Sequence, residues 1–206
     1  WVETPDDHGT SFQLTVQGVP VFARGANIVP PDFHDFTDED AWLDLVQNAV
    51  DANMNMLRVW GGGVYPPTAF FEACDAQGIL VWQDFMFACA MVPDNPAFQA
   101  NVNAEATEHV KRLRHHPSLA LWCGNNEVAK AWQSWGWQEM YNLHGQDSAR
   151  VAEAASAMFN GLLPDVVKEH CGRFYLPTSP TLEADAGDAQ TALAERRTTG
   201  STILLP

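Results

Sequence analysis

Basic residues are scarce in these 206 residues. Lysine and arginine number 11 against 26 aspartates and glutamates, a formal charge of -15. Binding nucleic acid takes clustered cations to neutralise phosphates, and the one dense cluster is KRLRHH at residues 111–116. No nucleic acid is expected as a partner, and a neutral substrate fits the balance. No apolar run approaches the ~20 residues a helix needs to span a bilayer, so no membrane partner is expected either. The first residues, WVETPDDHGTSFQL, have no basic stretch leading into an apolar one. No C-x-x-C spacing occurs among Cys74, Cys89, Cys123 and Cys171, so neither a zinc ribbon nor a redox pair is indicated. All four lie in apolar stretches, as buried free thiols do, which favours a reducing compartment such as the cytoplasm. His115 and His116 read as exposed at a helix end, where adjacent residues cannot both face one metal. No metal site and no cofactor are expected. G-x-G-x-x-G is missing too, since the glycines at 61–63 have the wrong spacing and run into Val-Tyr-Pro-Pro, which weakens a Rossmann reading.

What is present is a globular composition, 46% hydrophobic and 18% charged, enough to bury a sizeable core. Residues 12–27, FQLTVQGVPVFARGAN, alternate around Gln17-Gly18 and read as two strands joined by a tight turn. From Phe22 onward short apolar strands alternate with amphipathic helices. The strands are VFARGANIV, MNMLRVW, GILVWQDF, SLALWCGNNE and RFYLPTSP. Between them, Thr37 with Asp40 reads as a helix cap, followed by Trp42, Leu45, Val46, Ala49 and Val50 at helical spacing. Pro66-Pro67 opens a helix bearing Phe70, Phe71 and Cys74 that Gly78 closes. A third helix is expected over about 101–115, and a fourth capped by Ser148, with Val151, Ala155, Met158 and Leu162 inward. Residues 132–146 read as a loop.

Strands apolar on both faces, alternating with helices, imply parallel pairing under a helical cover. An open doubly wound sheet and a closed (β/α)8 barrel both satisfy this. Polar residues gather at the C-terminal strand ends in ARGAN, RVWGG, WQDF and CGNNE. A barrel collects such ends into one ring, so it is preferred. The expectation is an α/β fold, an incomplete (β/α)8 TIM barrel of about five strands, preceded by a β-hairpin.

Glu127 sits where a strand leaves the core, behind two amides. A partly desolvated carboxyl there can hold a proton near neutrality and serve as a general acid. It could equally cap the following helix or pair with Lys130. Trp60, Trp122, Trp132, Trp135 and Trp137 fall at strand ends or just beyond Glu127, and indole faces beside amide and carboxylate edges suit a sugar ring. Core packing is the competing account, above all for Trp82 and Trp122. Arg58 and Asp84, at equivalent strand ends, either bind hydroxyls or pair with each other.

In their order and spacing, FARGAN-x-x-PPD, LRVWGGGVY-P, GILVWQDFMFACA, RLRHHPSLALWCGNNE and Y-P-TSP resemble the catalytic barrel of β-mannosidases in glycoside hydrolase family 2, over roughly residues 12–180. The resemblance implies a retaining exo-enzyme that releases terminal, non-reducing β-D-mannose from an oligosaccharide or glycoside, within a multidomain parent. It makes Glu127 the general acid/base and Asn126 the amide beside the reacting carbon. It sets Asn27, Trp60, Asp84 and Trp135 around the terminal sugar, and Arg58 among the substrate-binding candidates. The hairpin, residues 1–21, is similar to the end of a β-sandwich domain. Residues 22–180 correspond to the partial barrel, and 181–206 to a polar tail that departs from the family. The family's nucleophile, at the seventh strand, has no counterpart here. Glu72, Glu105, Glu108, Glu153 and Glu169 read as helical, Glu139 as loop, and Glu183 and Glu195 lie in the tail. The expectation is a piece of the enzyme, inactive alone. Two alternatives stay open, a non-catalytic carbohydrate-binding remnant and a related exo-glycosidase for another β-glycoside.

Overall fold

The computed structural model describes residues 1–6 and 9–181. It contains two compact units, one including Trp1–Arg24 and the other Gly25–Ser179. All but the first residue of the polar tail lies outside the described residues.

In the first unit, β1 (Val2–Asp6), β2 (Gly9–Val16) and β3 (Val19–Val21) form an antiparallel sheet in that order. The expected hairpin is β2–β3. Its turn residues Gln17 and Gly18 have φ of 52° and 79°, the left-handed pair whose twist matches the flanking strands. Strand β1 went unread because VETPD carries a proline and acidic residues, which weaken strand pattern; a proline is tolerated on an edge strand, which β1 is among the described residues. The strand expected over VFARGANIV is divided, since β3 ends at Val21 and the next begins at Gly25.

The second unit holds β4 (Gly25–Ile28), β5 (Met56–Val59), β6 (Leu80–Asp84), β7 (Leu119–Cys123) and β8 (Phe174–Leu176). All pair in parallel, in chain order. That order separates the two folds left open by the sequence. A doubly wound sheet reverses direction at a switch point, whereas a barrel adds each strand beside the last. The five strands are therefore consecutive staves of a barrel.

Helices α1 (Glu39–Asp51), α2 (Thr68–Gln77) and α3 (Pro96–Leu113) follow β4, β5 and β6. After β7 come α4 (Val128–Ser134), α5 (Trp137–Met140), α6 (Gln146–Ser156), a π-helical stretch over Ala157–Leu162, and α7 (Leu163–His170). The helix-facing side of the sheet packs Leu57, Val59, Val81, Phe85 and Trp122 with Trp42, Phe70, Phe71, Leu113 and Met158 in one core. Each fully buried Phe there contributes about 1.5–3 kcal/mol of transfer free energy. The other side carries Met56, Arg58, Trp82, Asp84, Leu121, Cys123 and Leu176, all buried.

Several local expectations shift. Helix α1 is capped by Asp38, whose Oδ1 accepts from Ala41 N at 3.2 Å. Thr37 is taken instead by Asp35, which accepts from its hydroxyl at 2.6 Å and its N–H at 2.9 Å. Helix α3 starts earlier than expected, at Pro96 under an Asn95 cap, and Ser148 lies inside α6 rather than before it. The loop over 132–146 contains α5 and the end of α4, and Trp137 is buried in the core. His116 is buried, not exposed: its Nδ1 lies 2.6 Å from Asp75 Oδ2, while Ser118 N donates to Asp75 Oδ1 at 2.9 Å. Asp75 thereby fastens α2 to the start of β7. Among the described residues no helix is long and apolar enough to cross a membrane.

Candidate active site

Strand pairing continues past the C-terminal ends of β6, β7 and β8 as two isolated parallel bridges, Ala88 with Asn126 and Asn126 with Ser179. Asn126 N donates to Phe87 O at 2.8 Å, Cys89 N to Asn126 O at 3.0 Å, and Glu127 N to Ser179 O at 2.8 Å. The backbone of Asn126-Glu127 is thus held from both sides before any side chain is considered.

CGNNE now divides into parts. At Gly124 a Cβ would run into the Tyr175 hydroxyl and the Pro177 carbonyl, so only glycine lets β8 approach. Asn125 is buried and structural. Its Oδ1 accepts from Val128 N at 3.0 Å and Thr178 Oγ1 at 2.8 Å, and its Nδ2 donates to Pro177 O at 3.0 Å. That amide, not Glu127, satisfies the first turn of α4. Glu127 stands at the N-cap position with a left-handed backbone, φ 62°, and makes no side-chain cap bond. A non-glycine residue there is strained by about 1–3 kcal/mol, held in place by the bridges around it.

A line of polar contacts runs from the sheet interior to that carboxylate. Arg58 Nη2 donates to Asp84 Oδ2 at 2.8 Å and to Asn126 Oδ1 at 3.0 Å, while Arg58 Nε donates to Asp84 Oδ1 at 3.2 Å. Asp84 also accepts from Trp82 Nε1 at 2.8 Å and Gly61 N at 3.0 Å. Each Asp84 oxygen therefore accepts two hydrogen bonds, and the residue is 0% exposed. Burial pushes its carboxyl above the ordinary range, against the pull of Arg58, Gly61 and Trp82. Of the two readings open for Arg58 and Asp84, the pair with each other is the one formed. Arg58 also lies over the Trp82 ring at 5.3 Å, a cation–π contact.

The guanidinium can only donate, so the oxygen of the Asn126 amide must face it and the NH2 must point away. The NH2 meets Glu127 Oε2 at 3.1 Å. The orientation of the second amide is thus dictated by Asp84 through Arg58.

Asn27 is exposed on β4 and stands in register with Arg58, which is in register with Trp82, so the three form one row across the sheet. Trp60 is half-buried just past β5, its N–H donating to Ile28 O at 3.2 Å. The glycines after it serve close approach. A Cβ on Gly61 would come within 2.7 Å of Phe85 O and 2.8 Å of Phe87 O, and one on Gly62 would enter the Trp60 indole. Trp135, 42% exposed, ends α4 and meets Trp137 edge-on at 6.1 Å. Arg58, Asp84 and Asn126 are joined to Glu127 in one network; Asn27 and Trp60 occupy neighbouring strand ends; Trp135 stands apart at the far end of α4. Trp82 and Trp122 are core residues, as packing would have them.

One neighbour of Glu127 escaped the sequence reading. Cys89 is exposed, not buried, and its thiol lies 3.6 Å from Glu127 Oε2 and 3.6 Å from Asn126 Nδ2. Partial desolvation and the adjacent carboxylate push this thiol above its usual range, the Asn126 amide opposing. The segment directly behind WQDF is MFACA, residues 86–90, and its apolar character carried no mark of this neighbour.

Consecutive barrel staves with a rim of amide, guanidinium, carboxylate and indole are the fold of a glycoside hydrolase family 2 barrel, present in part. Over 176 residues the chain is 50% identical to β-mannosidase of Rattus norvegicus, covering 84% of this chain and 19% of the relative. The β-D-mannosidase of Dictyoglomus thermophilum superimposes with a TM-score of 0.77 at 40% identity, covering 89% of this chain and 22% of that one. A β-glucuronidase of Bacteroides uniformis shares the fold, with a TM-score of 0.64 at 23% identity over 77% of this chain and 18% of that one. No family model matches the chain. The chain is a homologue of the β-mannosidases over most of its length, and spans about a fifth of the length of the relatives it matches.

Proposed function

We propose that this chain carries the acid/base half of a retaining exo-β-mannosidase centre acting on terminal, non-reducing β-D-mannosides. The observation that supports it most is the continuous line Asp84–Arg58–Asn126–Glu127, ending on a half-buried carboxylate at the barrel rim. It occurs in a chain whose relatives are named β-mannosidase. Glu127 protonates the departing glycosidic oxygen, then takes a proton from the water that releases the sugar. Asn126 donates to the hydroxyl beside the reacting carbon; its longer contact, to Cys89, is the one such a hydroxyl replaces. Asp84, with its acceptor sites filled, acts through Arg58. Trp60 and Trp135 offer flat faces, and Asn27 an amide at the edge of the site. Residues 1–21 are read as the end of a β-sandwich domain and 22–180 as the partial barrel.

A retaining mechanism needs a second carboxylate about 5–5.5 Å from the first. Among the described residues Glu72, Glu105, Glu108, Glu153 and Glu169 are all on helices and Glu139 is in α5, while Glu183 and Glu195 lie outside the described residues. The 206-residue chain is therefore expected to bind mannose or mannobiose in calorimetric titration without cleaving an aryl β-mannoside faster than its Glu127→Gln variant. Turnover above that variant would mean that a nucleophile is present. A folded chain that ignores mannosides but takes up a β-glucosaminide or β-galactoside would move the assignment to another sugar.

A further inference from the structure

We propose that Cys89 is a positioning residue for Glu127, its thiol joining the Asn126 amide on Oε2 so that Oε1 alone carries the transferable proton. The inference rests on the acid/base reading of Glu127. Three atoms, Cys89 Sγ, Asn126 Nδ2 and Glu127 Oε2, form a closed triangle of 3.6, 3.6 and 3.1 Å. Among the described residues Oε1 has no hydrogen-bond partner. The Asn126 amide cannot turn round, because Arg58 holds its oxygen. Both contacts on Oε2 therefore come from donors. This suits each protonation state: when the carboxyl is neutral its hydrogen sits on Oε1, and Oε2 still accepts; when it is charged, both donors stabilise the anion.

The backbone brings the pair together deliberately in the geometric sense. Ala88 bridges Asn126, Cys89 N donates to Asn126 O at 3.0 Å, and both Cys89 and Glu127 take left-handed φ, 54° and 62°. Glu127 is the charged group facing the thiol; Arg58 and Asp84 lie behind the Asn126 amide.

The test needs no turnover. In a Cys171→Ser background, which removes the other thiol that is not fully buried, the rate of Cys89 alkylation by iodoacetamide is followed against pH by peptide mass spectrometry. With Glu127 present the thiolate is disfavoured; Glu127→Gln removes the charge and moves the alkylation midpoint down by about one pH unit, roughly tenfold in rate below the midpoint. Conversely, carboxyl-carbon NMR of glutamate-labelled chain should show the Glu127 midpoint rising in Cys89→Ala and returning toward the original in Cys89→Ser, which keeps a donor. Circular dichroism confirms that each variant is folded, and the NMR arm stands if Glu127→Gln is not. A structural role alone would change stability and leave both midpoints where they were. Coincident alkylation curves, or a Glu127 midpoint indifferent to Cys89, would overturn the inference. Failure of the mannosidase reading looks different: no mannoside binding, with the thiol–carboxyl coupling intact.

Discussion

At the scale of single residues, the site is built on one buried ion pair. Asp84 is 0% and Arg58 5% exposed. The desolvation cost of such a pair cancels much of its attraction, so its worth lies in orientation more than in stability. Removing one partner is another matter. Asp84→Asn leaves the guanidinium buried without its counter-charge and should cost about 3–5 kcal/mol in urea unfolding. The double variant with Arg58→Met should recover much of that loss while freeing the Asn126 amide to rotate. Equal stability of single and double variants would show that the two charges do not depend on each other. Residue chemistry was legible here in part. A carboxylate, an amide and a guanidinium at strand ends are readable as polar interruptions of apolar runs. Cys89 was not, because a thiol among Phe, Ala and Met gives no polar interruption to read.

At the scale of elements, the five staves were visible because each falls within a short, mainly apolar run that stops at glycine, proline or a polar cluster. Helix starts were less visible. The segment around 35–40 holds several competing caps, and which oxygen meets which N–H depends on how Asp35 folds back onto Thr37. Short α4 and α5 could not be read from periodicity, having too few turns to repeat a face. The tie between α2 and the start of β7 gives a pH dependence. Partial burial raises the Asp75 carboxyl, but hydrogen bonds from Ser118 and His116 outweigh it and leave it below the usual range. A carboxyl lowered by folding stabilises above the unfolded value of about 3.9, and that stability drains away as pH falls through the lower folded value. Urea midpoints between pH 7 and pH 3 should therefore decline more steeply in the parent chain than in Asp75→Asn. Parallel declines would remove Asp75 from the account of acid sensitivity.

At the scale of the whole molecule, the sheet of the barrel unit has two ends among the described residues. Among the described residues β4 pairs only with β5 and β8 only with β7. Unpaired backbone groups on an edge strand are templates for another chain. Sedimentation velocity should show association growing with concentration, and Ala26→Lys, an exposed position on β4, should weaken it by setting charge on the edge. Unchanged association would place the contact elsewhere. The same openness explains why the fold class was readable and its closure was not: strand pattern reports what each stave buries, not how many neighbours complete the ring.

The left-handed backbone at Glu127 has a bearing on how this sequence would drift. Glycine or asparagine would sit there more comfortably than glutamate, so a library sorted only for solubility or heat resistance would tend to discard the acid. On the acid/base reading proposed above, a chain freed from ligand work should be expected to lose this side chain among its first.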